Sequence, residues 1–313
     1  MALYLVTGGC GFIGSHLVDA LLARGDRVRV LDDLSTGKRE NLDPRAELTV
    51  GEVADKQLVG GALSGADGCF HLAAVASVER GNKDWLGTHR TNLTGAVTVF
   101  DAARTANPVG PVPVVYASSA AVYGDCAELP LRETAPTRPL SAYGADKLGC
   151  ELHARVAWQV HGVPTVGCRF FNVYGPRQDP ASPYSGVISI FFDRLGRGLP
   201  ITIFGDGGQN RDFIYVADVV DALLRAAGRA TEGAAVLNVC TGRSTTVLEL
   251  ARTVADVRKA KLETRFEAAR QGDIRASLGD PRGAAEALGF LAGTTLAQGL
   301  ARMDSSTVRI TDN

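Results

Sequence analysis

Tyr143 and Lys147 stand four residues apart in the stretch PLSAYGADKLGCEL, residues 139–152. The segment has helix-forming composition, and positions four apart on a helix share a face. The spacing brings a phenol beside an amine. A phenol in water ionises near pH ~10, too high for a general base near neutrality. A nearby ammonium, or a positively charged nicotinamide ring, favours the phenolate. A Tyr-x-x-x-Lys pair is also an ordinary solvated helix face, so the chemical reading needs partners. VVYASSAAVYG supplies them, as an apolar strand that runs into Ser118, Ser119 and small residues. The carboxyl end of a parallel strand is where such sheets bind ligands. Two hydroxyls there suit a substrate hydroxyl and the tyrosine, although Ser118 is also a candidate turn cap.

A second constellation lies at the start of the chain. TGGCGFIG places Gly8, Gly11 and Gly14 between an apolar strand and a helix opened by Phe12 and Ile13. One glycine makes a tight turn, one lets the backbone approach a pyrophosphate, and one lets helix and sheet pack closely. The helix N-terminus then presents free N–H groups and a positive dipole end to the phosphates. Asp32 ends the next strand. A carboxylate there bonds both ribose hydroxyls and repels a 2′-phosphate, which selects NAD over NADP.

These side chains need a sheet to hold them. LYLVT (3–7), RVRVLD (27–32), CFHLAA (69–74), VPVVYASS (112–119) and PTVGCRF (164–170) read as strands. Helical patterns at 12–25, 92–106 and 142–161 lie between them. Alternation of this kind predicts right-handed βαβ units and a doubly wound parallel α/β sheet of Rossmann type. After Asn172 the pattern changes. A loop rich in Gly, Pro, Ser and Tyr spans 173–186, and 200–216 reads as strand, glycine loop and extended segment. Helices follow at 216–229 and 246–258, with a strand, VLNVC, at 236–240. We expect a smaller, interleaved C-terminal lobe. Residues 1–171 with 213–240 form the dinucleotide half, and 172–212 with 241–313 the substrate half. The closing SSTVRITDN reads as a frayed tail.

Composition narrows the partners. The chain has 313 residues, 45% hydrophobic and 21% charged, which suits a large α/β protein. Its 33 basic and 34 acidic residues give a formal charge of −1, which points to no nucleic acid and no anionic membrane. ALYLV is too short for a signal core, and no apolar run spans a bilayer. The six cysteines are scattered without a C-x-x-C pair, as expected for reduced thiols in the cytoplasm, with no zinc site and no disulfide framework.

Nine stretches run in order along nearly the whole chain: TGGCGFIGSHLV, LDDLSTGKREN, HLAA, NLTGA, ASSAAVYG, SAYGADK, FNVYGPRQ, RDFIYVADV and RQGDI. Together they resemble the extended short-chain dehydrogenase/reductase superfamily, and within it the sugar-nucleotide epimerases of the UDP-galactose 4-epimerase kind. The resemblance implies that Tyr143 is the acid/base, that Lys147 binds the nicotinamide ribose and favours the phenolate, and that Ser119 is the catalytic hydroxyl. Asp32 would hold the adenosine ribose. Glu52 stands where many relatives have Asp beside the adenine, with Val53 next to it. Leu72, Ala73, Ala74 and Asn92 would line the cofactor side. On the substrate side the resemblance places Ser118, Asn172 and Val187. It also implies Arg211 and Arg270 as diphosphate ligands, whose planar forks suit phosphate. Asp273 would hold the uridine ribose, and Thr202 and Phe204 the uracil.

The resemblance also implies a shared first step, oxidation of the sugar at C4 as Tyr143 takes the hydroxyl proton and NAD takes the hydride. Dehydratases and decarboxylases of this kind carry an acidic residue beside the catalytic hydroxyl. This chain has Ala120 and Ala121, which cannot move a proton. Epimerisation is what remains, with the 4-keto sugar turning over in the site and NAD staying bound. In such enzymes a tyrosine shortly after R-x-G-D restricts the pocket to plain hexoses. Here that position is Ser277, which leaves room for an N-acetyl group. Relatives specific for UDP-galactose often carry a lysine where this chain has Ala76. The expected substrates are UDP-N-acetylglucosamine and UDP-N-acetylgalactosamine, with UDP-glucose and UDP-galactose as slower ones. Alternatives are UDP-glucose 4-epimerisation proper, UDP-glucuronate 4-epimerisation, disfavoured by DPASPY after YGPRQ, and a non-catalytic dinucleotide-binding regulator. The family usually forms homodimers. The apolar stripe Leu148, Leu152, Val156 and Val160 suits such a contact, and equally suits burial against the chain's own sheet.

Overall fold

A computed structural model describes residues 1–179, 186–230, 232–269 and 274–311. In its first half, strands and helices alternate: β1 (Leu3–Thr7), α1 (Phe12–Ala23), β2 (Arg27–Asp32), β3 (Glu47–Val50), α2 (Lys56–Leu63) and β4 (Gly68–His71). Helices α3 (Val78–Lys83), α4 (Trp85–His89) and α5 (Gly95–Ala103) follow, then β5 (Val114–Ser119), α6 (Ala142–His161) and β6 (Thr165–Phe170). The second half holds β7 (Asn172–Tyr174), α7 (Val187–Gly196), β8 (Ile201–Phe204), β9 (Asn210–Arg211), β10 (Phe213–Tyr215), α8 (Val216–Arg229) and β11 (Ala234–Val239). It closes with β12 (Thr245–Thr246), α9 (Val247–Arg258), β13 (Thr264–Glu267), β14 (Ala276–Ser277), α10 (Arg282–Leu288) and α11 (Leu296–Thr311).

Seven strands form one parallel sheet in the order β11-β6-β5-β4-β1-β2-β3. The order reverses between β1 and β4, the switch point where doubly wound sheets bind dinucleotides. Every residue of β4 and β6 is buried, as a sheet covered on both faces requires. One core, with Leu17, Leu21, Val30 and Leu223, packs α1 and α8 on one face. Another, with Leu5, Val99, Val114 and Ala154, packs α2, α5 and α6 on the other. A third joins α7, α9 and α11 through Phe191, Leu250 and Leu300, apart from the large sheet. Among the described residues no helix is long and apolar enough to cross a membrane, and the six cysteines are unpaired.

Several elements, α3, α4, α7, α10 and β13 among them, have no counterpart in the sequence reading, and three further differences have a clear cause. Edge strand β3 (ELTV) and helix α2 (KQLVGGAL) were absent from it. The one is short and mostly exposed, with only Leu48 and Val50 on its apolar face, and the other carries two glycines in eight residues. Residues 305–311 of the expected frayed tail are instead the last part of α11, which runs to Thr311, and Asp312 and Asn313 lie outside the described residues. The apolar stripe on α6 is also decided. Leu152, Val156 and Val160 are 59%, 46% and 67% exposed, so they do not pack on the sheet; only Leu148 leans on a buried cluster.

Candidate active site

Helix α6 is started where the chemistry needs it. Ser141 caps it by accepting from Gly144 N at 3.1 Å. Gly144 lies against the turn that follows β5, where a Cβ would come within 2.7 Å of Ala121 O. Only glycine permits that approach, which seats the first turn of α6, with Tyr143, against the Ala120–Val122 turn that follows Ser119. Lys147 is 2% exposed, and its Nζ donates to Ala117 O at 2.8 Å. The ammonium lies 5.9 Å from the centre of the Tyr143 ring. Tyr143 and Ser119 are both partly exposed, and the turn after Ser119 lies against the turn of α6 that carries Tyr143.

The two serines divide their roles by strand parity. Ser119 Oγ accepts from Ala121 N at 3.1 Å and is therefore the turn cap. Its own O–H and a second lone pair remain for a ligand. Ser118 is 1% exposed and donates to Glu151 at 2.5 Å. The expectation that Ser118 meets substrate is thus corrected: neighbouring strand residues point to opposite faces, and Ser118 has the inner one. Glu151 in turn receives Arg169 Nη2 and Nε at 2.7 and 2.8 Å, and Arg169 Nη1 donates to Tyr123 Oη at 2.8 Å. Burial alone disfavours the Arg169 cation, but the bonds and charge of Glu151 and Tyr123 outweigh it.

The dinucleotide constellation is assembled as well. Gly8 has φ +72°, and a Cβ on it would lie 2.8 Å from Ala73 N, so glycine is needed for both conformation and space. Gly14 packs against Gly8 O, and Gly11 starts α1 with no side-chain cap. The first-turn amides of Phe12 and Ile13 are thus presented at an uncapped helix end. Asp32 is buried and accepts from Cys10 N and Leu34 N at 2.9 and 2.8 Å. Burial pushes its carboxyl above the usual range, and these two amides pull against it. An uncapped helix end beside an oriented, buried carboxylate fits a dinucleotide's pyrophosphate and ribose.

Around that cradle, Leu72, Ala73 and Ala74 form the partly buried run after β4. Asn92, in a π-helical turn, fixes Val75 just beyond them through Val75 N at 2.8 Å and Val75 O at 3.3 Å. Glu52 is exposed and paired with Arg90 at 2.8 Å, while Val53 is buried against Gly95. His71, at the end of β4, bonds Thr7 Oγ1 at 2.8 Å; burial, then the Lys147 charge, pushes its pKa down to about 3. The loop after β7 is laced to α1 by His16 with Pro176 O at 3.0 Å and by Arg177 with Asp19 at 2.8 Å.

The residues expected on the substrate side come from distant segments. Asn172 opens β7, and its N–H donates to Asp212 O at 2.9 Å. Arg211 and Ser277 are register partners across β9 and β14. Thr202 and Phe204 alternate with buried Ile201 and Ile203 on β8, so they face away from that core. Val187 opens α7. Arg270 and Asp273 lie outside the described residues. Sequence reasoning missed Ser141, Gly144, Glu151, Arg169 and Asp212. A serine three residues before a first-turn glycine, and a charge inside the apolar strand PTVGCRF, were the available signals.

Comparison with known proteins agrees with this geometry. The model of the NAD dependent epimerase/dehydratase family matches residues 4–240. A UDP-glucose 4-epimerase of Mycolicibacterium smegmatis is 40% identical over 305 residues, covering 95% of this chain and 96% of that one. A solved UDP-glucose 4-epimerase of Thermotoga maritima, with UDP-glucose, superposes with a TM-score of 0.93 at 35% identity, covering 99% of both chains. A UDP-N-acetylglucosamine 4-epimerase of Methanobrevibacter ruminantium, in complex with UDP-N-acetylmuramic acid, gives 0.93 at 34% identity, again over 99% of both. The chain belongs to the NAD dependent epimerase/dehydratase family. It is an NAD-dependent enzyme of the isomerase class.

Proposed function

We propose that this chain is a UDP-hexose 4-epimerase whose preferred pair is UDP-N-acetylglucosamine and UDP-N-acetylgalactosamine, with slower turnover of UDP-glucose and UDP-galactose. The observation that carries epimerisation is the turn after Ser119. Its first two residues, Ala120 and Ala121, have no acid or base, and Gly144 packs α6 against Ala121 O. A 4-keto sugar held there meets no acidic side chain from that turn to drive elimination or decarboxylation. Tyr143, as phenolate, accepts the proton of the sugar's 4-hydroxyl and later returns it to the same oxygen. Ser119 offers its free O–H to that oxygen. Lys147 keeps two N–H donors beyond the one on Ala117 O, for a ribose and for the phenolate. Bound NAD would supply the acceptor, then the donor, of the C4 hydride. No net redox change results.

Ser277 supports the acetylated pair. It stands across from Arg211, with a side chain that leaves volume a tyrosine ring would fill. The names of the M. smegmatis and T. maritima relatives favour the plain pair as second reading. Purified protein assayed on each pair decides between them. Activity on UDP-galactose with none on UDP-N-acetylgalactosamine would sink the acetylated reading. Ser277→Tyr is expected to lower turnover of the acetylated pair at least roughly tenfold while sparing the plain pair. Equal loss on both counts against the pocket argument.

The same reading assigns residues 1–171 with 213–240 to NAD, and 172–212 with 241–313 to the UDP-sugar. Arg270 and Asp273 belong to the latter as nucleotide ligands. We place the enzyme in the cytoplasm, in keeping with six unpaired cysteines. We also propose a homodimer through α6, where Leu152, Val156 and Val160 leave an apolar stripe in water. Light scattering is expected to give a dimer for the wild type and a monomer for Leu152→Glu/Val156→Glu. A monomeric wild type removes this assignment.

A further inference from the structure

Asp212 is fully buried and has no place in the chemistry above. It follows Arg211 directly, and its carboxylate and backbone carbonyl together gather three separate pieces of chain. One oxygen accepts from Thr241 N at 2.8 Å and Thr241 Oγ1 at 2.7 Å. The other accepts from Gly242 N at 2.9 Å and Gly279 N at 3.4 Å. Its backbone carbonyl takes the N–H of Asn172 at 2.9 Å. Gly279 reaches the carboxylate because it carries no side chain; a Cβ there would lie 2.5 Å from Cys240 Sγ and 2.8 Å from Phe171.

Asp212 and two of its partners sit at or beside residues assigned to the nucleotide sugar. Asn172 is bonded to Asp212 itself, Arg211 precedes it, and Gly279 is two residues beyond Ser277. Strand β9 adds the register, pairing Ser277 with Arg211 and the Asn210 N–H with Arg275 O at 3.0 Å. These short strands have few ladder bonds of their own, since β9, β12 and β14 are two residues each. The four-bonded carboxylate, next in the chain to β9, ties down the segments that lead into β12 and out of β14. A charged acceptor in a dry site makes stronger hydrogen bonds than a neutral one, and losing it strands buried donors.

We infer that Asp212 is a positioning residue for the nucleotide-sugar site, fixing Asn172, Arg211 and Ser277 relative to one another without touching the ligand. The inference rests on the substrate roles proposed above for those three residues. Asp212→Asn has the same shape, but its NH2 group must face N–H donors on one side. KM for the UDP-sugar and Kd for UDP are expected to rise roughly tenfold, with kcat within about threefold and NAD content unchanged. Thr241→Val removes a single donor, so a rise of about threefold is expected, restored in Thr241→Ser. UDP titration reads the site even if no hexose is turned over, so failure of the epimerase reading stays separate. Wild-type UDP affinity in Asp212→Asn overturns the inference. So does parallel loss of UDP affinity, NAD content and kcat while Thr241→Val behaves as wild type. If Asp212→Asn does not fold, Thr241→Val decides alone, and unchanged KM and Kd in it overturn the inference.

Discussion

Tyr143→Phe is expected to lower kcat by about 10²- to 10⁴-fold, the range a positioned acid/base supplies. The substitution deletes one oxygen and keeps the ring. Ser119 still caps its turn through Ala121 N, and Lys147 still rests on Ala117 O. NAD content and UDP affinity should therefore match the wild type. The phenol is partly exposed at the first turn of α6, so stability should move by no more than about 0.5 kcal/mol. Single-turnover assays with a 4-epimeric UDP-sugar pair, and absorbance of the bound nicotinamide, check both halves. A variant that turns over within threefold of the wild type would remove Tyr143 from proton transfer. The same assay tells the enzyme from a dinucleotide-binding regulator, because a regulator shows no turnover to lose.

What could be read from the sequence was local. Tyr143 and Lys147 share a face because helical spacing fixes it, and the Gly8-Gly11-Gly14 turn follows from backbone geometry within one strand–helix unit. Asp32 falls at a strand end for the same reason. The reading failed where parity or distance decided. Ser118 and Ser119 look alike in sequence, and only the register of β5 in its sheet says which faces the cleft. Asp212 meets partners 29, 30 and 67 residues away, and no periodicity reports such contacts. Strand β3 escaped because its alternation is only four residues long, with Leu48 and Val50 alone on the apolar face. The α6 stripe was ambiguous because a helix buried on its sheet and a helix buried on a partner show the same spacing.

Arg169→Met is expected to cost about 3–5 kcal/mol of unfolding free energy, because it leaves the Glu151 carboxylate buried without its cation. Arg169 is 5% exposed on β6 and Glu151 8% exposed on α6, joined by two parallel bonds of 2.7 and 2.8 Å. Ser118 donates to the same carboxylate, and Tyr123 receives the remaining guanidinium arm. The pair therefore clamps the end of β5, next to Ser119, to the helix that carries Tyr143 and Lys147. Urea unfolding of the single variant and of Arg169→Met/Glu151→Leu separates cause from consequence. Replacing both charges by apolar groups removes the unpaired carboxylate, so at least half of the lost stability should return. Recovery stops short of the wild type because Ser118 loses its acceptor, while Tyr123 keeps its bond to Asn238 Oδ1 but loses the guanidinium that donates to it. A double variant no more stable than the single one would show that packing around the guanidinium, and not the stranded charge, sets the cost. Because Ser119 follows Ser118 in the strand, kcat should stay depressed in the double variant even where stability recovers.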